Sequence, residues 1–125
     1  MMNGLIDTNI LIYLAGKRLQ PQFLASRYKD LYVSRITQME FLGFNFEKST
    51  DEQAAQRLIS AFNLVDVDAA ITVVTIRVRK QKRIKLPDAI IYATAKELGC
   101  ELVTANYRDF QGLSEGVPIF NPFST

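Results

Sequence analysis

The chain has 125 residues, a size that ordinarily forms one domain with its own core. It contains no histidine and one cysteine, Cys100, which excludes Ser-His-Asp and Cys-His catalysis, imidazole or thiolate metal centres and an intrachain disulfide. With 48% hydrophobic and 22% charged residues and a net charge of +2, the composition excludes disorder as the dominant state, and no apolar run approaches the ~20 residues of a membrane span.

In chain order, Leu5-Ile6 reads as a short strand beginning at Asn3 or Gly4, followed by a helix from Thr8 to Ala15 that ends at Gly16. A second helical piece is predicted from Pro21 to Tyr28 and a strand over Leu31–Val33. Ser34 is placed to cap a helix over Ile36–Phe46. Ser49 to Asp51 opens a helix reaching Phe62, with Asp51 and Glu52 in the first turn, where the dipole favours acids. Leu64-Val65 is a strand, Asp68 caps a helix to Gln81, and Pro87 starts a helix to Leu98 that stops at Gly99. Glu101–Thr104 is a strand, and Val117–Phe120 contains a last one. Strands separated by helices, with no Asn-Gly or Asp-Gly hairpin signal, predict an α/β fold with a parallel sheet covered on both faces. Ligands in such folds gather beyond the carboxyl ends of the strands.

A single thiol and no basic-then-apolar leader at the Met1 start are what a cytoplasmic protein would show. The charge is uneven. Arg77, Arg79, Lys80, Lys82, Arg83 and Lys85 fall within nine residues, and the remaining nine basic and thirteen acidic residues balance at −4. Six cations in so short a run exceed what a helix carboxyl end needs, and they suit phosphate contacts to a nucleic acid.

Most of the carboxylates have simple roles. Asp51, Glu52, Asp66 and Asp68 read as helix-start residues, and Glu47, Glu97, Glu101 and Glu115 lie in polar surroundings. Three are costly where they stand. Asp7 ends the first strand amid apolar residues, where it can also act as an N-cap. Glu40 shares a helix face with Ile36 and Gly43, where the alternative is a buried ion pair with Arg35 or a lysine. Asp88 occupies the first turn of an apolar helix, where its charge also suits the dipole. Gathered at one sheet edge, these groups would repel one another and raise each other's pKa, and a divalent cation would relieve that strain. Thr8, Asn9 and Thr104 are placed to hydrogen-bond the carboxylates. Asn106 and Asp109 follow the late strand, as an orienting amide and as a ligand or turn residue. Tyr92 and Tyr107 are candidate stacking surfaces, Cys100 reads as a small buried hydrophobe, and Phe41, Phe44 and Phe46 surround their helix and can present an apolar face to a partner.

Four segments resemble the motifs of the PIN domain family in order and spacing: Leu5 to Leu11 around Asp7, Ile36 to Gly43 around Glu40, Leu86 to Ala95 around Asp88, and Leu102 to Phe110. The chain has the length of a stand-alone member and most resembles the VapC toxins of toxin–antitoxin pairs. The resemblance implies a single three-layer α/β/α domain over residues 1–125 around a mostly parallel sheet. It implies an endoribonuclease dependent on Mg²⁺ or Mn²⁺, usually a homodimer, inhibited by a VapB-like antitoxin. Carried over by position, Asp7, Glu40 and Asp88 form the acidic, metal-binding site. The family's fourth acidic position falls on Asn106, which leaves one metal or two open. A non-catalytic RNA- or partner-binding protein and a DNA- or structure-specific nuclease share these features. An aspartyl phosphotransfer enzyme fits less well, because Asn9 stands where its Asp-x-Asp pair needs the second acid.

Overall fold

Leu5 and Ile6 are adjacent and both fully buried, yet they belong to different cores. Successive strand side chains point to opposite sheet faces, so this pattern requires cover on both sides. Leu102 and Val103 repeat it on the neighbouring strand. Truncating any of these four to alanine would cost roughly 2–5 kcal/mol.

The computed structural model describes residues 1–124. Its strands are β1 (Gly4–Ile6), β2 (Leu31–Ser34), β3 (Asn63–Val65), β4 (Glu101–Val103) and β5 (Ile119–Phe120). Its helices are α1 (Thr8–Ala15), α2 (Pro21–Arg27), α3 (Arg35–Leu42), α4 (Ser49–Ser60), α5 (Ala69–Gln81), α6 (Leu86–Leu98) and α7 (Tyr107–Phe110). The strands form one five-stranded sheet in the order β3-β2-β1-β4-β5, and every pairing is parallel. On one face α5 and α6 bury Ile71, Val74, Val78, Ile91 and Tyr92 against Leu5 and Leu102. On the other, α1, α2, α3 and α4 bury Ile10, Leu11, Leu24, Phe41 and Ile59 against Ile6, Val33 and Val103. The expected α/β/α arrangement is therefore present.

Strand order reverses between β1 and β4, because the chain runs outward from β1 to β3 and then returns to the other side. The carboxyl ends of β1 and β4 therefore border the crevice in which doubly wound folds bind ligands.

Local chemistry sets the element ends. Ser34 and Asp68 cap their helices through the backbone N–H groups of Ile36 (3.2 Å) and Ile71 (2.8 Å). Gly99 ends α6 at φ 66°, the left-handed conformation that favours glycine. Gly4 is required for a different reason, since a Cβ there would stand 3.0 Å from the Tyr28 ring.

Three features differ from the sequence expectation. α3 stops at Leu42, with Gly43 closing it onto the Met39 carbonyl at 2.9 Å, so Phe44 and Phe46 lie beyond the helix and pack edge-to-face. α7 was not foreseen, because one turn of Tyr-Arg-Asp-Phe carries no helical periodicity. Asp66 does not start a helix; it follows β3 and pairs with Arg35 at 2.7 Å.

Candidate active site

Asp7 leaves β1 at the switch point and caps α1, its Oδ1 accepting the Asn9 backbone N–H at 2.7 Å. Its other oxygen, Oδ2, accepts the Thr104 hydroxyl proton at 2.5 Å, across from the end of β4. The Thr104 hydroxyl in turn accepts the Asn106 backbone N–H at 3.0 Å. Asp7 is only 5% exposed. Burial raises its pKa, the hydrogen bonds from Thr104 and Asn9 oppose that, and the charges of Glu40 and Asp109 add to the rise. Capping and site chemistry are thus not alternatives here; one carboxylate has both surroundings.

Asp88 sits in the first turn of α6, half-buried. Burial is the main cause that pushes its pKa up to about 6, followed by the charges of Asp109, Asp7 and Glu40, with Lys85 opposing. The charges of Glu40 and Asp109 thus act on both Asp7 and Asp88, although the four carboxylates come from separate segments.

Glu40 is not on the buried face of its helix. Thr37 and Phe41 are the buried positions of α3, and Glu40 is exposed. The difference arises because α3 turns its Thr37 side toward α1. The Thr8 hydroxyl donates to Glu40 Oε1 at 2.7 Å and lies 3.2 Å from the Thr37 hydroxyl, so a line of two threonines orients the carboxylate. Arg35, the sequence candidate for an ion pair with Glu40, is taken by Asp66. Thr37 is a site residue that sequence reasoning missed; its only signal was its position three residues before Glu40, one turn away on the same side.

Asn106 is exposed and joins the network through its backbone N–H. Asp109, one turn into α7, is the carboxylate whose charge bears most on Asp88. Of the two candidates after β4, the acid rather than the amide adds to the charge of the site.

The basic run divides. Arg77 makes two hydrogen bonds to Glu115 (2.9 and 2.6 Å), and Gln81 adds a third at 2.6 Å; these hold the Glu115 carboxyl down at about 2. The Lys82 ammonium donates to the carbonyls of Arg108 (3.1 Å) and Gln111 (2.8 Å). Arg77 and Lys82 thus fasten the segment that carries α7. A cavity of about 500 Å³ is lined by Arg79, Lys82, Arg83, Lys85 and Arg108 together with Asp88 and Asp109. Lys80 is exposed on α5 and does not line it, while Arg108 does and was missed, its only signal being its place beside Asp109. Tyr92 offers no stacking surface, being 1% exposed and packed on Phe110, whereas Tyr107 is open. Glu101, read from the sequence as lying in polar surroundings, accepts hydrogen bonds from Arg27 and Tyr28 at the far end of the sheet.

The donor set suits a hard cation. Its groups are carboxylate and hydroxyl oxygens, and neighbouring acidic charges add to the effect of burial in raising the pKa values of Asp7 and Asp88, a repulsion that a divalent ion would offset. Among the described residues no three Cys, Asp or Glu side chains are arranged to hold an ion by themselves.

A second surface lies beside Glu40. Ile12 and Ala15 of α1, Phe41 of α3, and Phe44 and Phe46 line an apolar groove of about 260 Å³, with Phe44 68% exposed. Among the described residues no helix is long and apolar enough to cross a membrane.

The sequence profile of the PIN domain matches residues 4–115. Among solved structures, a chain of the toxin–antitoxin complex from Klebsiella pneumoniae is 35% identical with a TM-score of 0.80, the alignment covering 98% of this chain and 99% of that one. VapBC-1 from nontypeable Haemophilus influenzae is 25% identical with a TM-score of 0.77, covering 96% and 98%. DNA-bound VapBC from Salmonella typhimurium is 22% identical with a TM-score of 0.83, covering 96% and 98%, and shows a shared fold. No curated protein sequence matches the chain.

Proposed function

The chain belongs to the PIN domain family, and on that premise we propose that it is a metal-dependent endoribonuclease, the toxin of a toxin–antitoxin pair. One observation carries the proposal: Asp7, Glu40, Asp88 and Asp109 come from four separate segments, and the charges of Glu40 and Asp109 bear on both Asp7 and Asp88 at the switch point of the sheet, beside a basic cleft. Idle acids would not be gathered at such a cost.

In this proposal Asp7 and Asp88 would hold Mg²⁺ or Mn²⁺ directly, and Glu40 would hold it directly or through water. A bound ion of this kind supplies a hydroxide-like water near neutral pH and neutralises charge on a phosphoryl oxygen. The chain's own residues do the rest. Thr104 and the Asn9 backbone favour the ionised form of Asp7 despite its burial. Thr8 fixes the rotamer of Glu40, leaving its second oxygen free to accept a proton from a water. Arg79, Arg83, Lys85 and Arg108 bind phosphates on either side of the scissile one and keep the strand in line.

The partner of this proposal is a VapB-like antitoxin. The complexes named for the structural relatives support it, as does the apolar groove of Ile12, Phe41, Phe44 and Phe46, whose rim carries Glu40. An amphipathic helix of the antitoxin seated there, with a basic residue beside Glu40, would cover the site edge. In this proposal the protein is itself a homodimer, as the family resemblance implies.

The test is cleavage of an end-labelled, structured RNA pool by protein freed of its partner, in Mg²⁺, Mn²⁺ or EDTA. Cleavage with either metal and none in EDTA is expected. Undiminished cleavage in EDTA would overturn the metal assignment, and cleavage of DNA alone would overturn the substrate class.

A further inference from the structure

A second cavity, of about 510 Å³, opens on the β5 side, lined by Tyr107, Ile119, Phe120, Asn121 and Ser124. Among the described residues its wall carries no charged side chain. Two hydrogen bonds tie it to the carboxylates through Thr104, the residue that donates to Asp7. The Thr104 backbone N–H donates to the Phe120 carbonyl at 3.0 Å, and the backbone N–H of Asn106, next to Tyr107, donates to the Thr104 hydroxyl at 3.0 Å. The single turn of α7 divides the two cavities. Arg108 and Asp109 line the basic one, and Tyr107 lines the neutral one.

The wall of the neutral cavity has particular chemistry. Tyr107 is 53% exposed, although aromatic rings in this fold otherwise find packing partners, as Tyr92 does on Phe110. The Asn121 Oδ1 accepts the Phe123 backbone N–H at 2.9 Å, which fixes the orientation of the amide. Its NH₂ has no partner among the described residues and keeps both donors for a ligand. An open aromatic face and an oriented amide donor suit a flat, hydrogen-bonding molecule. A nucleic-acid strand presents just such a group beside each phosphate.

We propose that this cavity is a nucleobase subsite, in which Tyr107 stacks on, and Asn121 hydrogen-bonds to, a base next to the scissile phosphate. The inference rests on the nuclease function proposed above. It adds that the substrate is unpaired at this position, because a base inside a duplex cannot leave the stack to meet Tyr107 without first being unpaired. The basic cleft holds the backbone, and the neutral cavity reads what the backbone carries.

The experiment measures binding of a fluorescent single-stranded oligoribonucleotide to the full chain in EDTA, so that nothing is cleaved. A series of copies carries one abasic position each, and the salt dependence of affinity is recorded. The wild type should lose roughly 5- to 150-fold in affinity at one abasic position, the range for one stacked base. Tyr107→Ala should lose the same factor on the intact strand and be insensitive to the abasic position, while Tyr107→Phe should behave as the wild type. All three should share one salt slope, since no phosphate contact is touched. Wild-type affinity that ignores every abasic position, or Tyr107→Ala that keeps full affinity and loses only antitoxin binding, would overturn the subsite and leave the nuclease proposal standing. A wild type with no affinity for any strand in EDTA that also fails to cleave the RNA pool in Mg²⁺ or Mn²⁺ would overturn both.

Discussion

Replacing Asp88 by asparagine should make the protein more stable and inactive at once. Its carboxyl is pushed from 3.8 up to about 6, chiefly by burial and then by the charges of Asp109, Asp7 and Glu40. At about 1.4 kcal/mol per pH unit of displacement, keeping it ionised costs the fold up to about 3 kcal/mol. Solvent screening of a half-buried group reduces that to about 1–2 kcal/mol. Losing an acid from the first turn of α6 takes back ~0.3–1 kcal/mol, so the net gain for Asp88→Asn near pH 7.5 is about 1 kcal/mol, or about 3–5 °C in Tm. The sign follows from the direction of the shift. The folded state holds the proton more tightly than the unfolded chain, so the cost is full above pH 6, falls through the window between 6 and 4, and vanishes below 3.8. Urea unfolding of wild type and Asp88→Asn at pH 7.5, 5 and 4 measures this directly. The gain should shrink by about half at pH 5 and be gone or reversed at pH 4. Millimolar Mg²⁺ should erase the difference at pH 7.5 by stabilising the wild type alone. A variant less stable than wild type at pH 7.5, or one whose gain is the same at all three values, would refute the electrostatic reasoning.

The other predictions concern the surroundings of the carboxylates. Thr104→Val removes the hydroxyl that donates to Asp7 and should lower kcat by about 10-fold or more, with a stability loss of about 1 kcal/mol; steady-state kinetics and urea titration read the two effects separately. Lys82→Ala should leave the salt slope of single-strand binding unchanged while hydrogen exchange quickens over residues 107–113, because its ammonium holds the carbonyls of Arg108 and Gln111. Arg83→Ala, by contrast, should reduce that slope by about 0.7, the value for one lost phosphate contact. Ile12→Glu with Phe44→Glu should abolish co-purification of the antitoxin while leaving stability within about 0.5 kcal/mol, since both side chains are exposed; retained co-purification would place the partner elsewhere.

Much of the fold was legible because its signals are local. The apolar pair Leu5-Ile6, caps at Ser34 and Asp68, Pro87 near a helix start and Gly99 at a helix end each mark their own element. Without a hairpin signal between strands, only a parallel sheet remained. The positions of Asp7 and Asp88 in the chain were legible for the same reason: each is a charge set at the head of an apolar run. What was not legible depends on distant neighbours. Nothing near Glu40 in sequence tells that Thr8 will hold it in the open, or that Phe44 and Phe46 will leave the helix after Gly43. The basic run looks uniform as a string, yet Glu115 claims Arg77, and Lys82, though it lines the cleft with Arg79, Arg83 and Lys85, has its ammonium taken by two carbonyls. Arg108 enters that cleft only because α7 forms, and a single turn has too few residues to announce itself.

The most direct measurement compares wild type with Asp7→Asn on one RNA pool, in Mg²⁺ and in Mn²⁺, with both proteins shown to be folded. Asparagine keeps an oxygen for the Asn9 N–H or the Thr104 hydroxyl, so the change removes the charge and little else. The expected result is metal-dependent cleavage by the wild type and none above background by the variant. Equal cleavage by a folded Asp7→Asn would contradict the account, because the one acid buried at the switch point would then have no part in the chemistry.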